Sequence, residues 1–355
     1  FTTNTNFPLV ASSFESIIIN IAANNSYGFM EDQMELFSSS LPQGISVSLS
    51  VNGVPGNVLN GNLIGTYEAD IYRISGNIII EEEEVVVLEA GTKFLFSGPY
   101  DFIIKGVLKA SGTENDSIIF DNYWQDDLVE NWRGIKLYNL NNETIFEYVS
   151  ISGVQGIVGG IYGGMYLYNS NPILNHVTIR DNWSPHCGGM HLATGSSPIL
   201  NHVNITENTA EYDSGVLCVY SSDPIMKNVS ITKNNAADYA GGMFLYSSDL
   251  ILINVTISEN VVLETSGVYD PHSSGMLVQS SSPTIINSIV WGNYSTLPNR
   301  QISLGGESEL EMTYSSIEGG WEGEGNIDAD PLFNDDYSFG EGSPCIDAGT
   351  SFFEY

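Results

Sequence analysis

A unit of about 26 residues recurs through the second half of this chain, and a fixed period of that size favours a fold in which each repeat buries its apolar face by stacking on the next. Pro172-Ile-Leu-Asn-His-Val-Thr-Ile-Arg-Asp-Asn182 returns as Pro198-Ile-Leu-Asn-His-Val-Asn-Ile-Thr-Glu-Asn208 and as Pro224-Ile-Met-Lys-Asn-Val-Ser-Ile-Thr-Lys-Asn234. The pattern continues over 250–260 and 283–293. The closing asparagines stand at 182, 208, 234, 260 and 293, so the steps are 26, 26, 26 and 33, with one insertion of seven.

Within a repeat, Val177 and Ile179, Val203 and Ile205, Val229 and Ile231, and Val255 and Ile257 are apolar at i and i+2, with Thr178, Asn204, Ser230 and Thr256 between them. This is strand periodicity. A short apolar pair precedes it (Ile173-Leu174, Ile199-Leu200, Ile225-Met226), and the polar pair between the two strands resets the phase, which predicts a bend. A third strand follows glycine: Gly164-Met-Tyr-Leu167, Gly189-Met-His-Leu192, Gly215-Val-Leu-Cys218, Gly242-Met-Phe-Leu245 and Gly275-Met-Leu-Val278. Three strands per coil without helical segments predict a parallel β-helix of about nine coils. Stacking at about 4.8 Å then places Asn182, Asn208, Asn234, Asn260 and Asn293 one above another, where each amide can donate to the next.

The Ile-x-x-Asn segments followed by Gly-Gly-Met or Gly-Val resemble the repeats of right-handed parallel β-helix proteins. They are closest to the polymorphic outer membrane protein type of bacterial surfaces and secreted proteins, within the pectate lyase-like superfamily. The stretch from Gly76-Asn-Ile-Ile-Ile80 to Gly91-Thr-Lys-Phe-Leu-Phe96 is similar to the opening of such helices, and Trp132-Arg-Gly-Ile135 to an early-coil motif. Ile327-Asp-Ala-Asp-Pro-Leu-Phe333 with Gly342-Ser-Pro-Cys-Ile-Asp-Ala-Gly349 resembles their usual ending. The resemblance covers roughly residues 63–349. It implies an extracellular or cell-surface setting, but the same solenoid serves lyases, hydrolases, tailspikes and adhesins, so it specifies fold far better than function.

The expected organisation is a small β-sandwich-like segment over 1–62, the β-helix over 63–321 and a closing segment over 322–355. In the first of these, 15–21, 33–37 and 45–51 alternate like half-buried strands, with turn residues at Asn24-Asn25, Pro42-Gln-Gly44 and Asn52-Gly53. The chain opens at Phe1 without a leader-like segment and is expected to be part of a longer polypeptide. No apolar run is long enough to span a membrane.

Ten Lys and Arg against 43 Asp and Glu give a net charge of −33. Such a field repels nucleic acid and anionic lipid, and it attracts divalent cations. No calcium-binding motif is recognised, however, and no cofactor is expected. Three cysteines without repeat-related spacing argue against a disulfide framework and a zinc site, and Cys218 reads as a small core residue.

The candidate ligand-binding surface is an aromatic strip on the outward side of the glycine-following strand. Tyr166, His191 and Phe244 stand between inward residues, and Tyr168, Val219 and Tyr246 continue the stripe. A second column, His186, Tyr212, Tyr239 and His272, lies four residues before the inward Met or Val. The variable segments 152–163, 183–187, 209–214, 235–240, 261–274 and 294–300 converge on the same side, where binding commonly evolves. Such a strip suits sugar rings or a partner protein, and a covering loop is the competing reading.

No catalytic residues are assigned. The four arginines, Arg73, Arg133, Arg180 and Arg300, occupy unrelated positions, and Asp181, Glu207 and Glu259 read as solvated turn residues. His176 and His202 share one repeat position and read as a turn pair. The expected function is therefore a non-catalytic extracellular adhesion or scaffold β-helix binding a surface glycan or a partner protein. A polysaccharide lyase or glycoside hydrolase is the alternative.

Overall fold

The computed structural model describes residues 57–123, 131–156, 163–211, 215–263, 273–296 and 300–351, and the strands Thr2–Thr3, Ile21–Ala22, Gly28–Ser38, Leu41–Gly53 and Thr209–Asp213 by their backbone. The chain divides into two units, Phe1–Asn57 and Val58–Tyr355. In the first, Gly28–Ser38 pairs antiparallel with Leu41–Gly53, and Thr2–Thr3 with Ile21–Ala22. Pro42-Gln-Gly44, expected as a turn, lie within the strand Leu41–Gly53.

The second unit is a parallel β-solenoid. Its glycine sheet stacks Phe102–Ile104, Ile135–Tyr138, Met165–Tyr168, Met190–Ala193, Leu217–Tyr220, Met243–Tyr246, Met276–Gln279 and Ile302–Gly305 in register. Each coil then passes through a short apolar strand and, after a bend, through the Val-x-Ile strand. Ile173–Arg180 and Ile199–Thr206 span both, pairing as Val177↔Val203 and Ile179↔Ile205. The first solenoid strand, Asn57–Asn62, lies within the stretch that the sequence pattern placed before the helix.

A fourth, short column stands where variable loops were expected. Trp183–His186, Thr209–Asp213, Asn235–Ala236, Val261–Val262 and Tyr294–Ser295 form a five-stranded parallel sheet. It forms because the residue after each ladder asparagine donates its N–H to the asparagine carbonyl of the preceding coil, as in Thr209 to Asn182 and Asn235 to Asn208.

The core is one continuous stack. Aromatic side chains fill its early coils, among them Phe94, Phe96, Phe102, Phe120, Phe146 and Trp132, and Leu, Ile, Val and Met fill the later ones. Trp132 stacks on Phe96 with ring centroids 4.2 Å apart and donates its indole N–H to the Ser152 carbonyl, so an aromatic residue enters the core with its polar atom satisfied. Paired glycines allow the coils to approach closely: a Cβ on Gly188 would meet the Thr209 carbonyl oxygen at 2.2 Å, and one on Gly163 the Cys187 carbonyl oxygen at 2.2 Å.

Two buried polar ladders tie coil to coil. Asn182 Nδ2 donates to Asn208 Oδ1 (3.0 Å), Asn208 Nδ2 to Asn234 Oδ1 (3.1 Å), Asn234 Nδ2 to Asn260 Oδ1 (2.9 Å) and Asn260 Nδ2 to Asn293 Oδ1 (2.8 Å). The second amide hydrogen reaches the preceding coil, as in Asn208 to the Ile179 carbonyl at 2.9 Å. Gln301 ends the ladder by accepting from Asn293 at 2.7 Å and donating to Glu318 at 2.9 Å. At another corner, Ser170, Ser196, Ser222, Ser248 and Ser281 each accept the backbone N–H of the residue stacked before them. These serines recur in the sequence at the same 26, 26, 26 and 33-residue spacing as the asparagines.

The bends adopt left-handed backbone. Tyr148, His176, His202, Asn228, Asn254 and Asn287 share one bend position with φ of 47–54°, and Asp181, Glu207, Lys233 and Glu259 another with φ of 54–57°. Asn, Asp and His tolerate this region better than β-branched residues do, which accounts for the polar pair that interrupts each repeat.

Asn208→Ala is expected to lower the unfolding free energy by about 1–3 kcal/mol, because buried groups in two neighbouring coils lose their partner. Asn204→Ala, at an exposed position, should cost much less. Denaturant titration that ranks the two the other way would contradict the ladder's role.

Candidate functional site

The expected aromatic strip divides into two columns with different fates. Tyr166, His191 and Phe244 are buried, and their column continues with Cys218 and Leu277. Only the next column, Tyr168, Ala193, Tyr220, Tyr246 and Gln279, reaches solvent, with Tyr168 38% and Tyr246 42% exposed. The buried rings pack on their neighbours: Tyr166 to His191 at 5.2 Å between centroids, His191 to Tyr220 at 5.2 Å and Tyr220 to Phe244 at 5.5 Å. Ala240, Phe244 and Leu277 form an apolar cluster separate from the solenoid core, with Tyr220 and Tyr239 against it. The approach to the glycine strand therefore folds over the inner column. An open aromatic platform is not what this face offers.

The second expected column is also altered. His186 is half-buried and pairs across an irregularity with Asp213, one residue beyond Tyr212. Tyr239 is half-buried with its ring 5.8 Å from Phe244. The side chain of Tyr212 and all of His272 lie outside the described residues.

One coil is also shifted in register by a residue. Leu217, not Val216, stacks under Met190, so Val216 takes the place of the second glycine of the pair. Val219 is consequently inward and fully buried, and Tyr220 holds the outward place assigned to it. The same one-residue shift turns Cys218 outward, where it forms a disulfide with Cys187 across a Cα–Cα distance of 5.6 Å. The expectation of no disulfide is thus overturned. Cys345 remains a free thiol, its pKa raised by burial.

The Val-x-Ile sheet carries a polar concavity. Two adjoining hollows run along it, of about 550 Å³ and about 430 Å³. Thr178, Asn204 and Asn228 line both. Ser150, Thr178, Asn204, Ser230 and Thr256 are the outward residues of successive coils, so the floor repeats a hydroxyl or amide at each coil. The bend column forms one wall. There Tyr148 and His176 stack at 4.4 Å with an interplanar angle of 1°, and His176 and His202 at 4.6 Å and 11°. Their faces are used on each other, which leaves ring edges for the groove. His176 and His202 were recognised as a repeat pair in the sequence, whereas Tyr148 was missed because an earlier, less regular coil carries it.

The groove is poor in charge. Of its lining residues only Glu114 and Asp336 carry carboxylates, and they stand at opposite ends. Asp336 accepts from the Ser338 N–H (3.0 Å) and hydroxyl (2.6 Å), and these bonds hold its carboxyl below the usual range. Among the described residues there is no group of three or more His, Cys, Asp or Glu able to hold a metal ion, and no helix is long and apolar enough to cross a membrane.

These coils match the family described as right handed beta helix region, over residues 131–270 and again over 186–326. The two matches overlap and together cover more than half of the 355 residues, so the chain belongs to that family. No curated protein and no solved structure matches it.

Two measurements check the revised strip. Phe244→Ser is expected to cost about 3 kcal/mol in stability, as truncation of a buried aromatic does, and the exposed Tyr246→Ser only about 1 kcal/mol. Thiol titration of the unfolded chain should find one reactive cysteine before reduction and three after it, whereas three before reduction would remove the disulfide.

Proposed function

We propose that this chain is a non-catalytic binding solenoid of the cell exterior that holds a neutral glycan in the groove along its Val-x-Ile sheet. The observation that carries this reading is the repetition of hydroxyl and amide side chains on the groove floor, from Ser150 through Thr178, Asn204 and Ser230 to Thr256. Hydroxyls and amides both donate and accept, which suits a polyhydroxylated ligand. Their spacing of about 4.8 Å presents the same contacts to successive units of an extended chain. Each contact is weak, and their sum along one chain is useful.

Charge narrows the ligand class. A protein of net charge −33 repels polyanionic chains, which favours neutral over acidic sugars. An exterior setting is supported by the Cys187–Cys218 bond, since such bonds persist in oxidising surroundings. A role in adhesion or scaffolding follows if the glycan belongs to a surface.

The enzymatic alternative finds little support in the groove. Acid–base cleavage of a glycosidic bond commonly uses two carboxyl groups about 5–9.5 Å apart. Glu114 and Asp336 are separated by the length of the groove, and the depressed pKa of Asp336 disfavours it as a proton donor.

Calorimetry and product analysis with a panel of neutral and acidic oligosaccharides test the reading. Neutral ligands should bind unchanged, and Thr178→Ala or Asn204→Ala should weaken binding roughly three- to tenfold, the equivalent of one hydrogen bond, with little change in melting temperature. Retention of none of the neutral glycans, or release of new reducing ends by the wild-type protein, would overturn it.

A further inference from the structure

Beyond the last coil the chain turns back along the Val-x-Ile sheet. Asn287, at the bend position of its coil, holds the returning backbone at two points: its amide donates to the Thr350 carbonyl (2.8 Å), and its carbonyl accepts the Thr350 N–H (2.8 Å). Phe339, Cys345, Ala348 and Gly349 line a cleft with Ile289 and Ser316. Nearer the groove, Leu332 and Phe339 flank a tight reversal in which the Asn334 N–H donates to Ser338, the Tyr337 N–H to Asn334 and the Gly340 N–H to Leu332. Phe333 packs on both Tyr337 (5.4 Å) and Phe339 (6.0 Å).

The tip of this reversal is Asp336-Tyr337, and it lines the hollow that also contains Thr178 and Asn204. The Tyr337 hydroxyl donates to Glu259 at 2.8 Å, and the Lys233 ammonium lies 5.4 Å from the centre of its ring. Thr232 is 3% exposed beside the segment, whereas the equivalent Thr206 of the preceding coil is half-open. At the other end the groove is bounded by Glu114 and Ser117, on the turn closed by the Thr113 and Asp116 hydrogen bonds.

We infer that the 332–340 reversal is a stop that ends the groove at Tyr337, so that the site takes the end of a neutral glycan chain and not a run of units within a longer polymer. The inference rests on the glycan reading above and adds the length and polarity of the ligand. From Ser150 to Thr256 the floor spans four coil steps, about 19 Å, which accommodates a short oligosaccharide. Asp336 and Tyr337 face its terminal unit, where a carboxylate can accept from the additional hydroxyl that distinguishes a chain end from an internal unit. The next residue along the floor, Ile289, stacks on Thr256, is 7% exposed and lines a cleft with Phe339 and Cys345, so the returning segment lies over the continuation of the floor.

The experiment is calorimetric titration of linear neutral oligosaccharides from disaccharide to octasaccharide, with a cyclic oligomer of the same sugar and linkage as a ligand without ends. Wild-type affinity should rise with length and then level off, and the cyclic oligomer should not bind. Tyr337→Gly removes the ring at a position whose φ of 64° suits glycine, so the backbone is not further strained. In that variant the affinity for the longest linear ligand should rise roughly three- to tenfold above the wild-type plateau, one additional contact's worth. Tyr337→Phe keeps the ring, and should keep the plateau. Wild-type affinity that keeps climbing to the octasaccharide without levelling off, or that is equal for cyclic and linear ligands, overturns the stop and leaves the glycan reading standing. Absence of binding at every length overturns both.

Discussion

The fold depends on how a coil closes without leaving buried polar groups unpaired. The bend after each Val-x-Ile strand carries main-chain groups into the interior, and an unsatisfied group there costs about 1–3 kcal/mol. One asparagine per coil resolves this in two directions: its amide hydrogens reach an isoleucine carbonyl in the preceding coil and the asparagine oxygen of the next, as Asn208 does with Ile179 and Asn234. Its own oxygen accepts from both the N–H and the side chain of Asn182. A ladder of this kind must be terminated, and Gln301 with Glu318 supplies a longer amide and a carboxylate where the repeat ends. It also fixes what can vary: the seven-residue insertion between Asn260 and Asn293 leaves the Asn260–Asn293 bond at 2.8 Å, because the added length lies outside the stacked strands.

That closure creates two unlike outer faces. Beyond the asparagine bend the chain forms the short fourth sheet and then approaches the glycine strand, and this return covers the inner aromatic column. Before the bend, the Val-x-Ile strand presents its hydroxyls and amides beside the stacked Tyr148, His176 and His202 without such a covering segment in its own coil. The groove therefore belongs to the polar face, and the aromatic residues serve mainly as packing. What limits the groove comes from elsewhere in the chain, with the terminal reversal lying on the later coils.

A ligand site built this way differs from a catalytic cleft on the same solenoid. Its donors and acceptors are repeated, nearly neutral and distributed along the axis, whereas acid–base catalysis commonly concentrates ionisable groups at one point. The strongly negative net charge resides largely outside it, at exposed turns such as Glu82–Glu84 and at the bend positions Asp181, Glu207 and Glu259. Family membership defines the scaffold, and the function proposed here rests on the site.

The amino-acid sequence by itself determined the period, the inward alternation and the asparagine column, because each is a local pattern repeated at a constant interval: knowing one coil gives the next. It did not determine what lies over an outward residue. Phe244 and Tyr246 are two positions apart on one strand and look alike in the pattern, yet one is buried and the other open, since the covering residues come from the approach to the strand. Val216 in place of a glycine moved the register of one strand by a residue, and with it Cys218 and Val219, a change that only stacking on Met190 resolves. The end of the groove was decided by contacts between residues 78 and 63 positions apart, Tyr337 with Glu259 and Thr350 with Asn287. A repeat specifies its neighbours through nearest-neighbour stacking, but a non-repeating segment that returns across several coils finds its place only through the assembled surface.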